Sequence, residues 1–181
     1  MKTKFYTGKG DGGESNLGGG KKISKDSSYA EFLGGLDELN SWFGLTRAES
    51  GNDFVSNSLF KIQQTLFIAQ AEAAAVGAGR KSSKKITAEK TKELESIIEK
   101  IDSELPEINH FIVTGANRES ALLDYGRTLA RKTERLAVKL KKELNLSDEV
   151  ISFLNRLSSV LFAFARYVSH KKGIKEDAPS Y

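Results

Sequence analysis

Residues 52–76 read NDFVSNSLFKIQQTLFIAQAEAAAV, and within them Val55, Leu59, Ile62, Leu66, Ala69, Ala73 and Val76 follow an unbroken alternation of four and three residues. An α-helix turns once every 3.6 residues, so this spacing gathers all seven on one narrow seam. Such a seam packs helix against helix. The same period recurs after Ser147, where Val150, Leu154, Leu157, Leu161, Phe164 and Val168 repeat it. Ser28 to Glu49 carries Phe32, Leu36, Leu39 and Phe43 on one face. A further helix is expected from Thr87, whose Thr-Ala-Glu-Lys opening puts a carboxylate in the first turn, with Leu94, Ile97, Ile98, Ile101 and Leu105 as its face and Pro106 as its end. Residues 117–144 form the remaining segment, with Leu122, Leu129, Leu136 and Leu140 as its apolar line.

Both prolines, Pro106 and Pro179, lie outside these segments, and seven of the 16 glycines crowd between Gly8 and Gly20. Glycine therefore marks a loop at the N-terminus and proline leaves the helices intact. The expected fold is all-α: a five-helix up-and-down bundle in a ferritin-like arrangement, with a glycine-rich, non-helical N-terminal arm. One domain is expected over 1–181, divided into an arm (1–27), a bundle (28–172) and a C-terminal tail (173–181). Short links predict antiparallel neighbours. The Gly-, Ser- and Lys-rich link 77–86 is expected to be mobile, and only 2–6 and 111–113 read as extended.

Apolar residues make up 39% and charged residues 29% of the 181, a globular balance. Cysteine is absent, which excludes disulfides and thiolate metal sites. The opening MKTKFYTGKGDGG lacks the apolar core of a secretion signal, and no apolar run approaches the roughly 18 residues of a membrane span. A cytoplasmic location is expected, with no membrane partner. The net charge of +4 is modest and no basic stripe alternates with aromatics, so no nucleic-acid partner is expected.

Three features carry chemistry. The stretch Tyr6 to Lys25 combines glycines with Thr7, Ser15, Asn16 and the lysines Lys9, Lys21, Lys22 and Lys25. Glycines let a backbone close on a ligand and aim successive N–H groups at it, so the stretch suits a polyphosphate. Gly8-x-Gly10-x-x-Gly13 matches the dinucleotide pattern, but no βαβ unit surrounds it, and no Walker A sequence is present. Asp124, Arg127, Arg131 and Glu134 advance by three, four and three residues and form one helical stripe, with Arg135 beside it. Asn155 and Arg156 interrupt the apolar last helix, and a bundle can bring them to that stripe. Asp37 can pair with an arginine of another helix or another chain. The two histidines do not follow a glutamate at the spacing of a di-iron bundle site, and no Ser-His-Asp or Cys-His arrangement is readable, so no resident metal is expected. Catalysis then rests on positioning and electrostatics, with the reactive power in a cosubstrate.

Tyr6-Thr7-x-x-Gly10-Asp11-x-Gly13, Ser24-Lys25-Asp26 and Gly35-Leu-Asp37-Glu38-Leu39-Asn40-Ser41 resemble the opening of the PduO-type ATP:cob(I)alamin adenosyltransferases. The resemblance continues in Ile62-Gln-Gln-Thr-Leu-Phe67, in Phe111-Ile112, in Arg127-Thr-Leu-Ala-Arg131-Lys-Thr-Glu134-Arg135 and in Asn155-Arg156-Leu157-Ser158. It implies a trimer with active sites between subunits, where ATP gives its 5′-deoxyadenosyl group to the cobalt of cob(I)alamin and releases triphosphate. It assigns the phosphates to Thr7, Gly8, Lys9, Gly10, Ser15, Asn16 and Lys25, and the rest of the ATP site to Arg131, Glu134, Arg135 and Asn155. By the same resemblance Arg127 pairs with Asp37 across the interface. Phe111 sits on the lower corrin face and displaces the lower axial ligand. Mg²⁺ is expected on the phosphates, and a cobalamin-dependent enzyme or a flavin reductase as further partners. A noncatalytic ATP-binding regulatory or corrinoid-carrier module on the same trimer is the alternative. The chain departs from the family at Gly8 and Lys9, at Thr114-Gly115-Ala116, at Asp124 where a histidine is usual, at Lys132 and at Ser159.

Overall fold

The structure, a computed structural model, describes residues 5–17 and 21–181. Five helices follow one another: α1 (Ser28–Glu49), α2 (Asp53–Gly77), α3 (Ala88–Asp102), α4 (Arg118–Leu144) and α5 (Asp148–Lys171). Polar caps start several of them. Ser27 accepts from Ala30 N, Asn52 from Val55 N, and Asn117 and Ser120 exchange bonds in a capping box. Asn145, left-handed at φ 54°, ends α4.

Some boundaries differ from the periodicity. α3 stops at Asp102 rather than Leu105, because Glu104 N and Leu105 N turn back three residues to Ile101 O and Asp102 O ahead of Pro106. The expected extended stretch 2–6 falls partly outside the described residues, as do Gly18 to Gly20, and Phe5 and Tyr6 are not in a strand. Nor is 111–113 a strand, although Val113 N donates one backbone bond to Asp177 O at 2.8 Å. Two short strands lie instead inside the glycine arm. β1 (Glu14–Asn16) pairs antiparallel with β2 (Lys22–Ser24), Ser15 opposite Ile23, and Lys22 bonds Glu14 at 2.6 Å. Three-residue strands are too short to show a period, so the hairpin is hidden in the sequence.

Side-chain contacts fix the helix directions. Tyr29 meets Ala73 and Asn40 meets Gln63, so α1 and α2 are antiparallel. Trp42 meets Leu122 and Gly35 meets Thr133, which makes α1 and α4 antiparallel. Glu134 meets Asn155 and Asp124 meets Arg166, which does the same for α4 and α5. Glu95–Arg156 and Glu104–Lys171 show α3 and α5 running the same way. The bundle is therefore up-and-down, with α1 between α2 and α4, and α5 between α4 and α3.

Phe32, Phe43, Phe153 and Phe164 are fully buried in the shared core, each contributing about 1.5–3 kcal/mol. On α4 the core face is Leu123, Ala130, Ala137 and Leu140 with Thr133, not the expected line of leucines. Leu129 and Leu140 of that line are buried, but Leu122 and Leu136 are only half-buried. Small residues occupy the core side because the helices approach closely there. A Cβ at Gly126 would lie 3.2 Å from Trp42 Cδ1, and one at Gly35 3.2 Å from Thr133 Oγ1.

The link after α2, expected to be mobile, is tied at both ends. Ile86 is buried and its N–H donates to the buried carboxylate of Glu72 at 2.7 Å. Gly77 packs under Tyr29, whose hydroxyl donates to Ala73 O at 2.6 Å and is pushed up to about 12 by burial. A Cβ at Gly77 would lie 2.1 Å from Tyr29 Oη, far inside contact distance. Gly77→Ala is expected to lower the unfolding free energy by about 3 kcal/mol in urea titration, the upper range for overpacking. An unchanged midpoint and slope would contradict this packing.

Candidate functional site

The arm enters the bundle at the end where α4 finishes, as Lys139 Nζ donating to Ser28 Oγ at 2.8 Å shows. Between Tyr6 and Gly13 it folds as successive turns, with Asp11 N bonded to Gly8 O and Gly13 N to Gly10 O. Gly8 and Gly13 have φ of 69° and 80°, conformations that side chains resist. Lys25 braces the loop: its N–H reaches Gly13 O at 2.9 Å and its ammonium reaches Gly10 O at 2.7 Å. Lys9 N bonds Thr7 Oγ1 at 3.4 Å. No bond among the described residues engages the N–H of Gly10 or Gly12. The result is an exposed, cationic turn with N–H groups available to an anion. Ser15 and Asn16 continue it along β1, both exposed. The ammonium of Lys22 is held above its usual range by its bond to Glu14.

Along α4 the predicted stripe is real but graded. Arg131 and Arg135 are exposed, Glu134 and Arg127 half-buried, and Asp124 is buried at 3% exposure. The eleven residue steps from 124 to 135 span about 16 Å of helix axis. Asn155 Nδ2 donates to Glu134 Oε1 at 2.7 Å, and Arg135 Nη1 donates to Arg131 O at 3.2 Å. With Val138 these four side chains line a groove of about 280 Å³. Arg156 turns the other way and pairs with Glu95 on α3 at 3.1 Å.

Arg131 also lines a second, more apolar groove of about 390 Å³, formed with Arg127, Phe162, Arg166 and the α3 residues Ile98 and Ile101. This groove opens toward the end of the bundle that carries the 103–117 loop. Phe111 in that loop is 78% exposed. Phe162 and Arg166 escaped the sequence reading because they lie off the 4-3 core line of α5. Their signal was present: Asn155, Ser159, Phe162 and Arg166 form their own four-three-four stripe.

One chain does not bring every predicted residue together. Among the described residues no hydrogen bond joins the arm to Arg131, Glu134, Arg135 or Asn155. Asp37 is exposed on α1, and Arg127 Nε lies instead 4.0 Å from Asp124 Oδ1, too far for a hydrogen bond. Among the described residues no three His, Cys, Asp or Glu side chains cluster as metal ligands, and no helix is long and apolar enough to cross a membrane.

A helical bundle with a glycine turn at one end, and a cationic stripe opening on two adjoining grooves, is the build of a protein that handles a polyphosphate beside a bulkier ligand. Residues 5–168 match the family model described as cobalamin adenosyltransferase, and the chain belongs to that family. It is 38% identical over 175 residues to the corrinoid adenosyltransferase of Bacillus subtilis, covering 94% of this chain and 89% of that one. Corrinoid adenosyltransferase MMAB of Homo sapiens is 36% identical over 180 residues, 96% of this chain and 72% of the human protein. Among solved structures, a phenylalanine-to-alanine variant of the PduO-type ATP:corrinoid adenosyltransferase from Lactobacillus reuteri, complexed with cobalamin and ATP, superposes with a TM-score of 0.90 at 30% identity, covering 98% of this chain and all of that one. An arginine-to-lysine variant of the same enzyme, complexed with ATP, gives 0.89 over 97% of this chain.

The buried pair Asp124–Arg166 gives a stability test. Asp124→Ala leaves a desolvated guanidinium with half its partners, and is expected to cost about 3 kcal/mol of unfolding free energy. A loss below about 1 kcal/mol, the range of surface pairs, would show that the pair is hydrated.

Proposed function

We propose that this chain transfers the 5′-deoxyadenosyl group of ATP to the cobalt of cob(I)alamin, giving adenosylcobalamin and triphosphate. The Co(I) electron pair attacks C5′ of the nucleotide, the C5′–O bond breaks, and the triphosphate leaves with that bond's electrons. No side-chain nucleophile is needed: the grooves are lined by Arg, Asn, Ser and apolar groups, with Asp102 in the larger and Glu134, already bonded to Asn155, in the smaller.

One observation carries the assignment of sites: Arg131 lines both grooves. A cation at that junction faces the phosphates of a nucleotide in the smaller groove while bordering the ligand in the larger one. Charge develops on the bridging oxygen as triphosphate departs, and fixed donors stabilise it without reorganisation. Thr7, Gly8, Lys9, Gly10, Ser15, Asn16 and Lys25 are assigned to the phosphates. Arg131, Glu134, Arg135 and Asn155 complete the nucleotide site, with Asn155 orienting the Glu134 carboxylate through their 2.7 Å bond. Mg²⁺ would travel with the triphosphate oxygens, its preferred ligands. Phe111, exposed in the loop whose Ile108 lines the apolar groove, is assigned to the lower corrin face, where it displaces the axial ligand and leaves four-coordinate cobalt, which is easier to reduce.

The separation of arm and stripe within one chain supports a homotrimer in which a neighbour completes each site. In it Arg127, half-buried and without a hydrogen bond at Nε, pairs with Asp37 of the neighbouring subunit, which is exposed in the single chain. The arm 1–27, bundle 28–172 and tail 173–181 act as one domain. A cytoplasmic setting, with a flavin reductase as electron source and a cobalamin-dependent enzyme as recipient, belongs to the same proposal.

Under anaerobic conditions with chemically reduced cobalamin, Arg131→Ala is expected to lower kcat/KM by about a hundredfold or more, read from the loss of cob(I)alamin absorbance. Full activity in that variant would remove Arg131 from the site. Light scattering is expected to give a trimer, and Asp37→Arg to weaken it. A wild-type monomer with full activity would contradict the intersubunit site.

A further inference from the structure

The guanidinium of Arg166 is 2% exposed and is shared among three parts of the chain. Its Nη2 donates to Asp124 Oδ2 on α4 at 2.7 Å, and its Nε donates to Glu176 in the tail at 2.8 Å. Its carbon Cζ stands 4.8 Å from the centroid of the Phe162 ring, a cation–π contact. The residue after Glu176 accepts through its backbone: Asp177 O takes the bond from Val113 N, two residues beyond Phe111. Asp124 Oδ1 and Arg127 Nε, 4.0 Å apart, are both buried without a hydrogen bond.

Charge balance makes these contacts interdependent. Two cations, Arg127 and Arg166, face two carboxylates, Asp124 and Glu176, and burial penalises any that lose a partner. Glu176 occupies one edge of Arg166, so Asp124 keeps its second oxygen toward Arg127. The loop consequence is mechanical. Phe111 is 78% exposed, so little of its side chain is covered by the rest of the chain. Among the described residues, the Val113–Asp177 bond is the backbone tie from 106–116 to a distant part of the chain. Its acceptor is adjacent to the latched Glu176.

We propose that Arg166 and Glu176 are positioning residues for the corrinoid groove, latching the C-terminal tail so that Phe162 and the Phe111 segment are held as its two aromatic walls. This rests on Phe111 and the apolar groove facing the corrin. The latch acts on the corrinoid and leaves the nucleotide groove, which contains neither residue, untouched.

The test uses the full-length enzyme with ATP and cob(II)alamin, with the four-coordinate cobalt fraction read by electron paramagnetic resonance. Glu176→Ala is expected to cut that fraction by more than half and leave the ATP KM unchanged. Loss of a charged hydrogen bond implies a rise in corrinoid KM of about tenfold. Glu176→Gln, which keeps a neutral acceptor, is expected to fall between the two, and carries the same prediction if the alanine variant does not fold. Phe111→Ala separates the layers. If it leaves the four-coordinate fraction unchanged, the corrin-face reading fails and the latch with it. If Phe111→Ala lowers the fraction while both Glu176 variants match wild type in it and in corrinoid KM, the latch is overturned and the reading stands.

Discussion

The antiparallel contact of α4 with α5 decides which polar side chains meet, and the rest of the site is arranged around it. At one end it sets Glu134 against Asn155 at 2.7 Å, near the surface. At the other it buries Asp124 against Arg166 at 2.7 Å, away from water. Between them Arg127 and Arg131 project along one side of α4. The close packing that holds this register comes from small residues. Gly35 and Gly126 allow α1 to approach α4 from behind, so α4 is fixed on both flanks and its stripe cannot rotate.

That geometry gives the two ends of the stripe different electrostatics. Toward the C-terminal end of α4, Arg131 and Arg135 are exposed, and the separate glycine arm carries exposed Lys9 and unengaged backbone N–H groups, so both elements offer hydrated donors to an anion. Near the tail, charges are buried and paired, and the lining is apolar. A highly charged nucleotide suits the first environment and a large, nearly neutral macrocycle the second. In the proposed arrangement the two ligands meet where the grooves adjoin, at Arg131.

The helices were legible because each buries a face several turns long, and a 3.6-residue period survives individual exceptions. The α4 core face departs from the leucine line because close helix approach selects Ala130, Ala137 and Gly126, small residues that leave no period of large apolar groups in the sequence. The hairpin in the arm was invisible for lack of length. Residues of the site were named from motif and resemblance, and the structure brings Glu134, Arg131, Arg135 and Asn155 to one groove. Phe162, Arg166 and Glu176 were not named. The first two share a stripe with Asn155 that the dominant apolar seam of α5 obscured. Glu176 lies in an irregular tail, where only the folded chain reveals its partner.

In the proposed reaction the adenosyl carbon passes from ATP to cobalt and triphosphate leaves whole. Its most direct measurement combines ATP labelled with carbon-13 at C5′ and anaerobic cob(I)alamin, followed by carbon and phosphorus NMR of the products. The account predicts a cobalt-bound labelled carbon and intact triphosphate formed in equal amounts, at a rate that the protein accelerates. Labelled carbon remaining in ATP, or phosphate release without a cobalt–carbon bond, would contradict it.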